Sequence, residues 1–538
     1  MLSKSSRRPR MWVRPLLALA ALLAASATGV LTSGTAHATS IVVSRSATAG
    51  AISNTADAGD LGWEGPSYQG SSGSPSGSKP ESKLWWNDGR WWASLYDPGT
   101  DDYFVNYLDT NNQTWVRTPT QLETRNNTRA DALWDGTHLF VASHVFQDST
   151  TSSSGNVSSG YPAQLRRYSY NSSTNQYSLD AGFPVQINDV RTETLVIDED
   201  STGRLWATWT QGKQVYFAWS TPGGTTWSTP AALPVGGATL TADDISSVAA
   251  FHGDRIGIMW SNQVDEKMYF SQHLDGDSST AWTPTEVAYS GTDSADDHIN
   301  LKSVQDQGGR ILAAVKTSKT GSSPLVHLLD REFSTGRWTS HVYGLGSDNH
   351  TRPIALIDSQ HQVVHLFATS GQSGGSIYEK TAPLSDIRFA AGKGTPVLTD
   401  ASDPDINNPT STKQNVDGTT GLVVLATNDT TRQYWTHYDD LGGAPTGVVA
   451  NAGPDHTATT NGVGTLDASA SYGPSGQTLG FTWLQVDGPL VAIADPRSAK
   501  TTFRTPSDPT TLTFRVVVND TSGHVASDDV VVTVKAPK

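Results

Sequence analysis

The chain has 538 residues, a formal net charge of −15 and no cysteine. The negative charge argues against a nucleic-acid-binding protein, because such proteins concentrate Lys and Arg on their surfaces. The lack of cysteine excludes disulfides, thiol nucleophiles and thiolate metal sites, so we expect a large apolar core, in more than one domain, to hold the fold together.

Residues 1–38 have the pattern of an export signal peptide. Basic residues occur within the first 14 positions, an apolar run follows at 16–23, and small residues end the segment at 36–38. The pair Arg7-Arg8 leaves a twin-arginine route open beside the general one. Since no second long apolar run follows, we expect a secreted, extracellular protein without a membrane span.

An internal repeat begins after a Gly-, Ser- and Pro-rich segment at 41–80 that surrounds an N-terminal strand. Each unit has a turn with Asp or Gly followed by an apolar or aromatic strand. The seven occurrences are NDGRWWASL at 87, WDGTHLFVAS at 134, DSTGRLWATW at 200, HGDRIGIMWS at 252, QGGRILAAVK at 307, DSQHQVVHLFA at 358 and DGTTGLVVLAT at 417. Units of roughly 50 residues built from strands are typical of propeller blades.

The repeat therefore predicts an all-β protein with a seven-bladed β-propeller over residues 41–445, in which the N-terminal strand completes the last blade. Six or eight blades remain open, because the second unit is long and the last is short. The alternative is a string of β-sandwiches, but no unit is long enough to bury a sandwich core by itself.

One turn resembles the Asp-box of sialidase-like propellers, Ser-x-Asp-x-Gly-x-x-Trp. The segment STPGGTTW keeps Ser220, Gly224 and Trp227 of that pattern, with Pro222 in place of the Asp. A more eroded version, STGRW, ends at Trp338. The resemblance implies the propeller fold and not the activity, and the Arg-Ile-Pro signature of sialidases is missing.

Residues 448–535 resemble a PKD-type immunoglobulin-like β-sandwich. The positions that match the family pattern are Asp467, Ser469, Ser471, Trp483, Gln485 and Gly488. The sequence Gly-Pro-Ser-Gly at 473–476 replaces the usual Asp-Pro-Asp-Gly, so carboxylates associated with a cation are missing. The resemblance implies a spacer or a surface-binding accessory domain.

The candidate site is the channel mouth of the propeller, which the segments leading into the innermost strands would line. These segments are polar or charged in each repeat. The predicted substrate-binding residues are Lys83, Arg125, Arg129, Arg191, Asn300, Lys302, Arg352 and Lys413. So many cations around one axis of an acidic chain favour a carboxylated or sulfated ligand, although ion pairs with Asp131, Glu193, Asp243 and Asp297 would also explain them.

Two reactions fit a uronate-containing polysaccharide. In β-elimination, cations such as Arg191 or Arg352 neutralise the carboxylate while His298 or His350 removes the α-proton. In hydrolysis, two carboxylates flank the scissile bond, and the predicted catalytic carboxylates are Glu193, Asp244 and Asp297. The alternative function is a non-catalytic glycan-binding or adhesive protein.

No metal site or cofactor is predicted, and the expected partner is an anionic polysaccharide bound by a monomer. The acidic pairs Asp101-Asp102 and Asp439-Asp440 leave a structural calcium possible but unassigned, since neither has a recognisable loop spacing. Nucleic acid is not expected as a partner.

Overall fold

The computed structural model describes residues 59–77, 79–147, 159–304, 308–442, 448–453, 455–469, 471, 473, 478–521 and 523–536. The predicted signal peptide at 1–38 and most of the Gly-Pro-Ser-Gly segment lie outside these residues. Within them, no helix has the length and hydrophobicity needed to cross a membrane.

In the described part of the chain, the strands before the C-terminal region form seven antiparallel sheets. The first sheet contains β2 (Leu84–Asn87), β3 (Arg90–Asp97), β4 (Asp102–Asp109) and β5 (Thr114–Glu123). The second contains β6 (Thr128–Trp134), β7 (His138–Val145), β8 (Ser159–Asn171), β9 (Gln176–Leu179) and β10 (Val185–Val190). The third contains β11 (Val196–Glu199), β12 (Arg204–Gln211), β13 (Gln214–Pro222) and β14 (Ala231–Ala232).

The other four sheets repeat this order. The fourth contains β15 (Ser246–Phe251), β16 (Arg255–Asn262), β17 (Lys267–Leu274) and β18 (Glu286–Ser290). The fifth contains β19 (Ile299–Ser303), β20 (Ile311–Lys316), β21 (Pro324–Arg331) and β22 (Trp338–Leu345). After a 3₁₀ turn at Gly346–Asp348, the sixth contains β23 (His350–Asp358), β24 (Val363–Ser370), β25 (Ser376–Pro383) and β26 (Thr395–Leu398). The seventh contains β27 (Ile406–Thr410), β28 (Leu422–Asn428), β29 (Gln433–Asp439) and the N-terminal β1 (Trp63–Ser67).

The ring is closed at two radii. At the outside, β1 pairs with β29, so the start of the described chain completes the last sheet. At the inside, the first strands of successive sheets contact one another from β2 to β27. The backbone N–H groups of Lys83 and Leu84 then donate to the carbonyl of Ser411, which joins the end of β27 to β2. These contacts leave the innermost strands around a central channel, as in a propeller.

Aromatic side chains fill the space between sheets. Trp85, Trp91 and Trp92 are each at most 1% exposed and belong to the core cluster that joins the first and last sheets. The cluster uses residues from both ends of the repeat, including Tyr434. The Trp-rich run near residue 85 is therefore mainly packing material and not a sugar-stacking surface.

The eroded Asp-box forms the turn that its pattern predicts. Ser220 and Trp227 form an isolated bridge, and the Ser220 hydroxyl accepts a hydrogen bond from the Leu205 N–H. Thr221 N–H donates to the Thr226 carbonyl at 2.8 Å. Backbone bonds therefore keep the turn closed although Pro222 replaces the usual Asp.

The C-terminal residues form a small β-sandwich. Its strands are β30 (His456–Thr459), β31 (Val463–Asp467), β32 (Gly480–Asp487), β33 (Lys500–Arg504), β34 (Thr510–Asn519) and β35 (Val525–Lys535). One sheet has the order β30-β35-β34-β32, and β31 pairs with β33. Trp483, Phe503 and Phe514 lie in its own core cluster. The prediction of an all-β chain with a propeller followed by a sandwich is confirmed.

Candidate functional site

A cavity of about 480 Å³ lies where the chain enters the innermost strands. We call it the front cavity. It is lined by Ser72, Gly73, Ser74, Gly77, Lys79, Arg129, Phe146, Glu193, Asp297, Arg352, Gln372, Ser373, Asn407, Asn408 and Asp429. Four of the residues predicted from sequence therefore meet here: Arg129, Glu193, Asp297 and Arg352. These are the residue types expected at the channel mouth. Their catalytic and substrate-binding roles are predictions.

The two guanidinium groups of the front cavity have backbone and ring partners. Arg129 donates to the Thr128 carbonyl at 3.0 Å and lies 4.9 Å from the centre of the Phe146 ring. Arg352 donates to the Gln372 carbonyl at 3.1 Å. Among the described residues, no carboxylate pairs with either group. Arg129 is only 5% exposed, and a buried cation without a counter-ion is costly.

Three residues with left-handed backbone line the same cavity. Arg352 and Asn408 have φ angles of 52° and 57°, and Lys79 has 21°. Each of the three precedes a proline, a position that normally favours extended backbone. In β23 and β27 the pairing register shifts at Arg352 and Asn408, so each lies in a bulge that turns its side chain toward the cavity. Such strain clusters at ligand sites because it fixes a side chain in place.

Lys79 is held between two carboxylates. Its ammonium lies 2.8 Å from the Glu193 carboxylate and also contacts the Asp297 carboxylate. Glu193, Asp243 and Asp297 offer oxygens within 4.8 Å of one another, and Asp296, Asp297 and His298 form a second group of this kind. Both sets could hold a cation, but the ammonium of Lys79 already pairs with two of the three carboxylates in the first.

A chain of hydrogen bonds leads from Asp296 to Arg352. The Nδ1–H of His298 donates to Asp296 at 2.5 Å, and the Thr351 hydroxyl donates to His298 Nε2 at 3.2 Å. Arg352 in turn donates to the Thr351 hydroxyl oxygen at 3.4 Å. Burial lowers the pKa of His298 to about 3, although Asp296 opposes the shift. His298 is therefore neutral near pH 7, with both ring nitrogens engaged.

The other two predicted catalytic residues lie away from the front cavity. His350 is fully buried, and its Nε2 donates to the Lys393 carbonyl at 3.1 Å. Burial lowers the pKa of His350 to about 4. Asp244 is also fully buried and accepts bonds from the N–H and hydroxyl of Thr241, each at 2.8 Å. The structure therefore does not bring these two side chains to the front cavity.

Three predicted cations lie outside the front cavity and have partners of their own. Lys83 donates to Glu81 at 2.7 Å inside the fold. Arg125 forms a two-pronged pair with Glu123, at 2.9 and 2.6 Å. Both cations are therefore ion-paired, but with carboxylates other than the four that the ion-pair explanation named. Arg191 instead lies over the Tyr161 ring, 3.8 Å from its centre.

The remaining predicted residues lie along the channel. The Asn300 side-chain oxygen accepts the Ala355 N–H at 3.0 Å and so ties β19 to β23. Lys413 pairs with Asp131 at 3.0 Å. Lys302 and Lys413 line a second cavity, described below, and not the front cavity.

Several lining residues were not among the predicted site residues, although the segments that contain Lys79 and Asn408 were expected at the channel mouth. Lys79 and Asn408 carried a usable signal, since Lys-Pro, Arg-Pro and Asn-Pro recur at the start of three innermost strands. Gln372 and Asp429 gave none, because they come from turns between the second and third strands of their sheets. Only the closure of the ring brings those turns to the cavity.

Comparison with known proteins gives one sequence match. Residues 452–534 match the family model described as the K319L-like PKD domain. No curated protein sequence matches the chain significantly. The match covers the sandwich, and the propeller sheets lie outside it.

Several solved structures are similar to the chain. The polysaccharide lyase Uly1 is 12% identical, with 67% of this chain and 90% of that chain covered and a TM-score of 0.39. An α-L-arabinanase of Penicillium chrysogenum is 9% identical, covering 61% and 98%, with a TM-score of 0.37. A point mutant of NanB sialidase from Streptococcus pneumoniae is 11% identical, covering 58% and 68%, with a TM-score of 0.37.

The seven sheets and the PKD match define the class of protein. It is a β-propeller followed by a small β-sandwich, and the sandwich matches the PKD-domain model. The resemblance inferred from the eroded Asp-box and from the C-terminal pattern is thus confirmed at the level of the fold.

Proposed function

We propose that the protein is a secreted carbohydrate-active protein whose front cavity binds the acidic sugar of an anionic polysaccharide. The observation that carries the proposal is the pair Arg129 and Arg352, which line one cavity without a carboxylate partner among the described residues. A guanidinium group forms two parallel hydrogen bonds with a carboxylate or a sulfate. An incoming acidic sugar would form a direct ion pair with them, whereas Asp429, Asp296 and Glu193 act on Arg352 only from a distance.

The surroundings of the two arginines support this selectivity. Burial lowers the pKa of Arg352, but a guanidinium remains charged at neutral pH. The three carboxylates of the cavity are already engaged: Glu193 and Asp297 hold Lys79, and Asp429 accepts the Tyr68 hydroxyl at 2.9 Å. The amide groups of Gln372 and Asn408 lie beside the guanidinium groups and suit sugar hydroxyls.

We further propose that the protein cleaves the polysaccharide that it binds. Glu193 and Asp297 reach within 4.8 Å of each other at the cavity, with the ammonium of Lys79 in contact with both; retaining glycoside hydrolases use a separation of about 5 Å. This pair favours hydrolysis. In this arrangement His298 acts through Thr351 on Arg352 and is a positioning residue, not the base of an elimination.

The test uses the mature chain and a set of defined polysaccharides. Calorimetry would compare polygalacturonate, alginate and hyaluronan with neutral arabinan and galactan. We expect binding to the acidic polymers only, weakened by salt, and lost in the double variant R129A/R352A. The matched control is R388A, since Arg388 is 76% exposed and pairs with Asp386. Equal binding of neutral polymers, or full binding by the double variant, would refute the proposal.

The same samples separate the possible reactions. New reducing ends without absorbance near 235 nm would indicate hydrolysis, and absorbance there would indicate elimination. Binding with neither signal would leave a glycan-binding protein and refute cleavage. Export is tested separately by N-terminal sequencing of the protein from culture medium, which we expect to begin near residue 39.

A further inference from the structure

The opposite ends of the innermost strands surround a second cavity, of about 650 Å³, which we call the rear cavity. The residues that matter here are Trp134, Asp198, Glu199, Lys302 and Lys413. Lys302 belongs to β19, and Lys413 follows the end of β27. The site shares no lining residue with the front cavity.

Lys302 is unusual among lysines because its amine is buried. The residue is only 6% exposed, and its amine donates to the Thr412 carbonyl. Among the residues that the structure describes, no carboxylate forms an ion pair with it. A buried lysine with a single neutral partner gains little from carrying a charge.

The neighbouring carboxylates, Asp131 and Asp198, do not form an ion pair with Lys302. Asp131 accepts the N–H groups of Ser82 and Ile197, each at 2.8 Å, and pairs with Lys413. Asp198 accepts the N–H of Ala250 at 2.9 Å. The carboxylates closest to the channel are therefore committed to other donors.

These surroundings lower the pKa of the Lys302 amine. Burial first, and then the like charge of Lys413, lower the pKa of Lys302 to about 7. Asp131 and Asp198 oppose this shift but do not cancel it. At pH 7 a substantial fraction of the amine carries a free electron pair, whereas an ordinary lysine is almost fully protonated.

A proton donor lines the same cavity. Burial and the carboxylates of Asp135, Asp198 and Asp200 raise the pKa of Glu199 to about 7. Part of this carboxyl group is therefore protonated near neutral pH and can act as a general acid.

We propose that Lys302 is a reactive amine that forms an imine with a small aldehyde or ketone in the rear cavity. A desolvated lysine beside a second cation is a recognised arrangement for a nucleophilic amine. The open-chain form of a reducing sugar belongs to this class of ligand.

The step balances without any further reactant. The Lys302 nitrogen forms a bond to the carbonyl carbon, and the proton that the nitrogen then loses is taken up by the oxygen to give a carbinolamine. The hydroxyl group then leaves as water with a proton from Glu199, and the C=N bond forms as the nitrogen electron pair moves in. One water is released, and loss of the nitrogen proton restores the Glu199 carboxyl.

Reductive trapping tests the proposal on the full chain. The protein is incubated with glycolaldehyde and cyanoborohydride at pH 7, and modified lysines are quantified over time by peptide mass spectrometry. Lys500 is the internal control, because its side chain is 68% exposed. Since the unprotonated fraction of Lys302 exceeds that of an ordinary lysine by orders of magnitude, we expect it to react at least about tenfold faster.

Two variants extend the test. K302M should remove the fast site and leave the Lys500 rate unchanged, with near-UV circular dichroism reporting the fold. E199Q should keep the fold and slow trapping at Lys302 several-fold. The comparison within the wild-type chain does not depend on how the variants fold. Modification of Lys302 no faster than Lys500 would overturn the proposal, and an unchanged rate in E199Q would overturn the role of Glu199.

Discussion

Replacing Arg352 by glycine should weaken ligand binding and change the stability of the fold little. A non-glycine residue at a φ of 52° is strained by roughly 1 kcal/mol, and glycine adopts this angle freely. The guanidinium also has no carboxylate partner among the described residues, so its removal breaks no ion pair in the free protein. Strain relief stabilises R352G, whereas the lost hydrogen bonds and the chain entropy of glycine destabilise it, and these effects are of similar size.

The binding loss should be large by comparison. Hydrogen bonds between charged groups contribute about 1.5–3 kcal/mol, which corresponds to a loss of roughly 10- to 150-fold in affinity for polygalacturonate. R352A separates the two effects, since it removes the same guanidinium but keeps the strained angle. We therefore expect R352G and R352A to bind equally weakly, with R352G the more stable by roughly 1 kcal/mol.

Calorimetry gives the affinities, and thermal unfolding gives the stabilities. R388A serves again as the control for loss of an arginine at an exposed position. If R352G bound polygalacturonate as the wild type does, the assignment of the cavity would be wrong. If R352G were less stable than R352A, the argument from backbone strain would be wrong.

Three further predictions concern Glu81, His298 and Gly257. Burial alone would raise the pKa of Glu81, but Lys83 and a buried histidine hold that pKa below its usual range. The free energy of unfolding of E81Q, measured with urea at pH 7, should therefore be about 3–5 kcal/mol lower than that of the wild type. Because the folded pKa is depressed, this stabilisation is present above about pH 4.3 and is lost as the pH falls further, so the difference from wild type should shrink there. H298N should weaken polygalacturonate binding several-fold without changing selectivity for acidic polymers, since it frees Arg352 rather than removing it; unchanged affinity would contradict the positioning role. A Cβ at Gly257 would lie 2.4 Å from a phenylalanine ring carbon, so G257A should cost about 1–3 kcal/mol, and a stability equal to wild type would show that the sheet yields there.

The sequence by itself determined the class of fold and the kind of residue at the channel mouth. The repeat of turn and apolar strand is local, because strand alternation and turn residues depend only on neighbouring positions, and each of the seven motifs marks one sheet. Arg129, Glu193, Asp297 and Arg352 were found in this way, since the start of each innermost strand can be located from the repeat.

The tertiary structure decided which polar residues meet and which pair elsewhere. His298 and His350 both follow the expected spacing, but contacts from distant segments, at Thr351 and Lys393, engage Nε2 of each ring. Lys302 follows the same alternation of polar and apolar residues along β19. It lines the rear cavity because it lies toward the far end of that strand. Residues that are distant in the chain determine the burial, the pKa and the accessibility of these side chains. Such contacts depend on ring closure and not on any local sequence pattern.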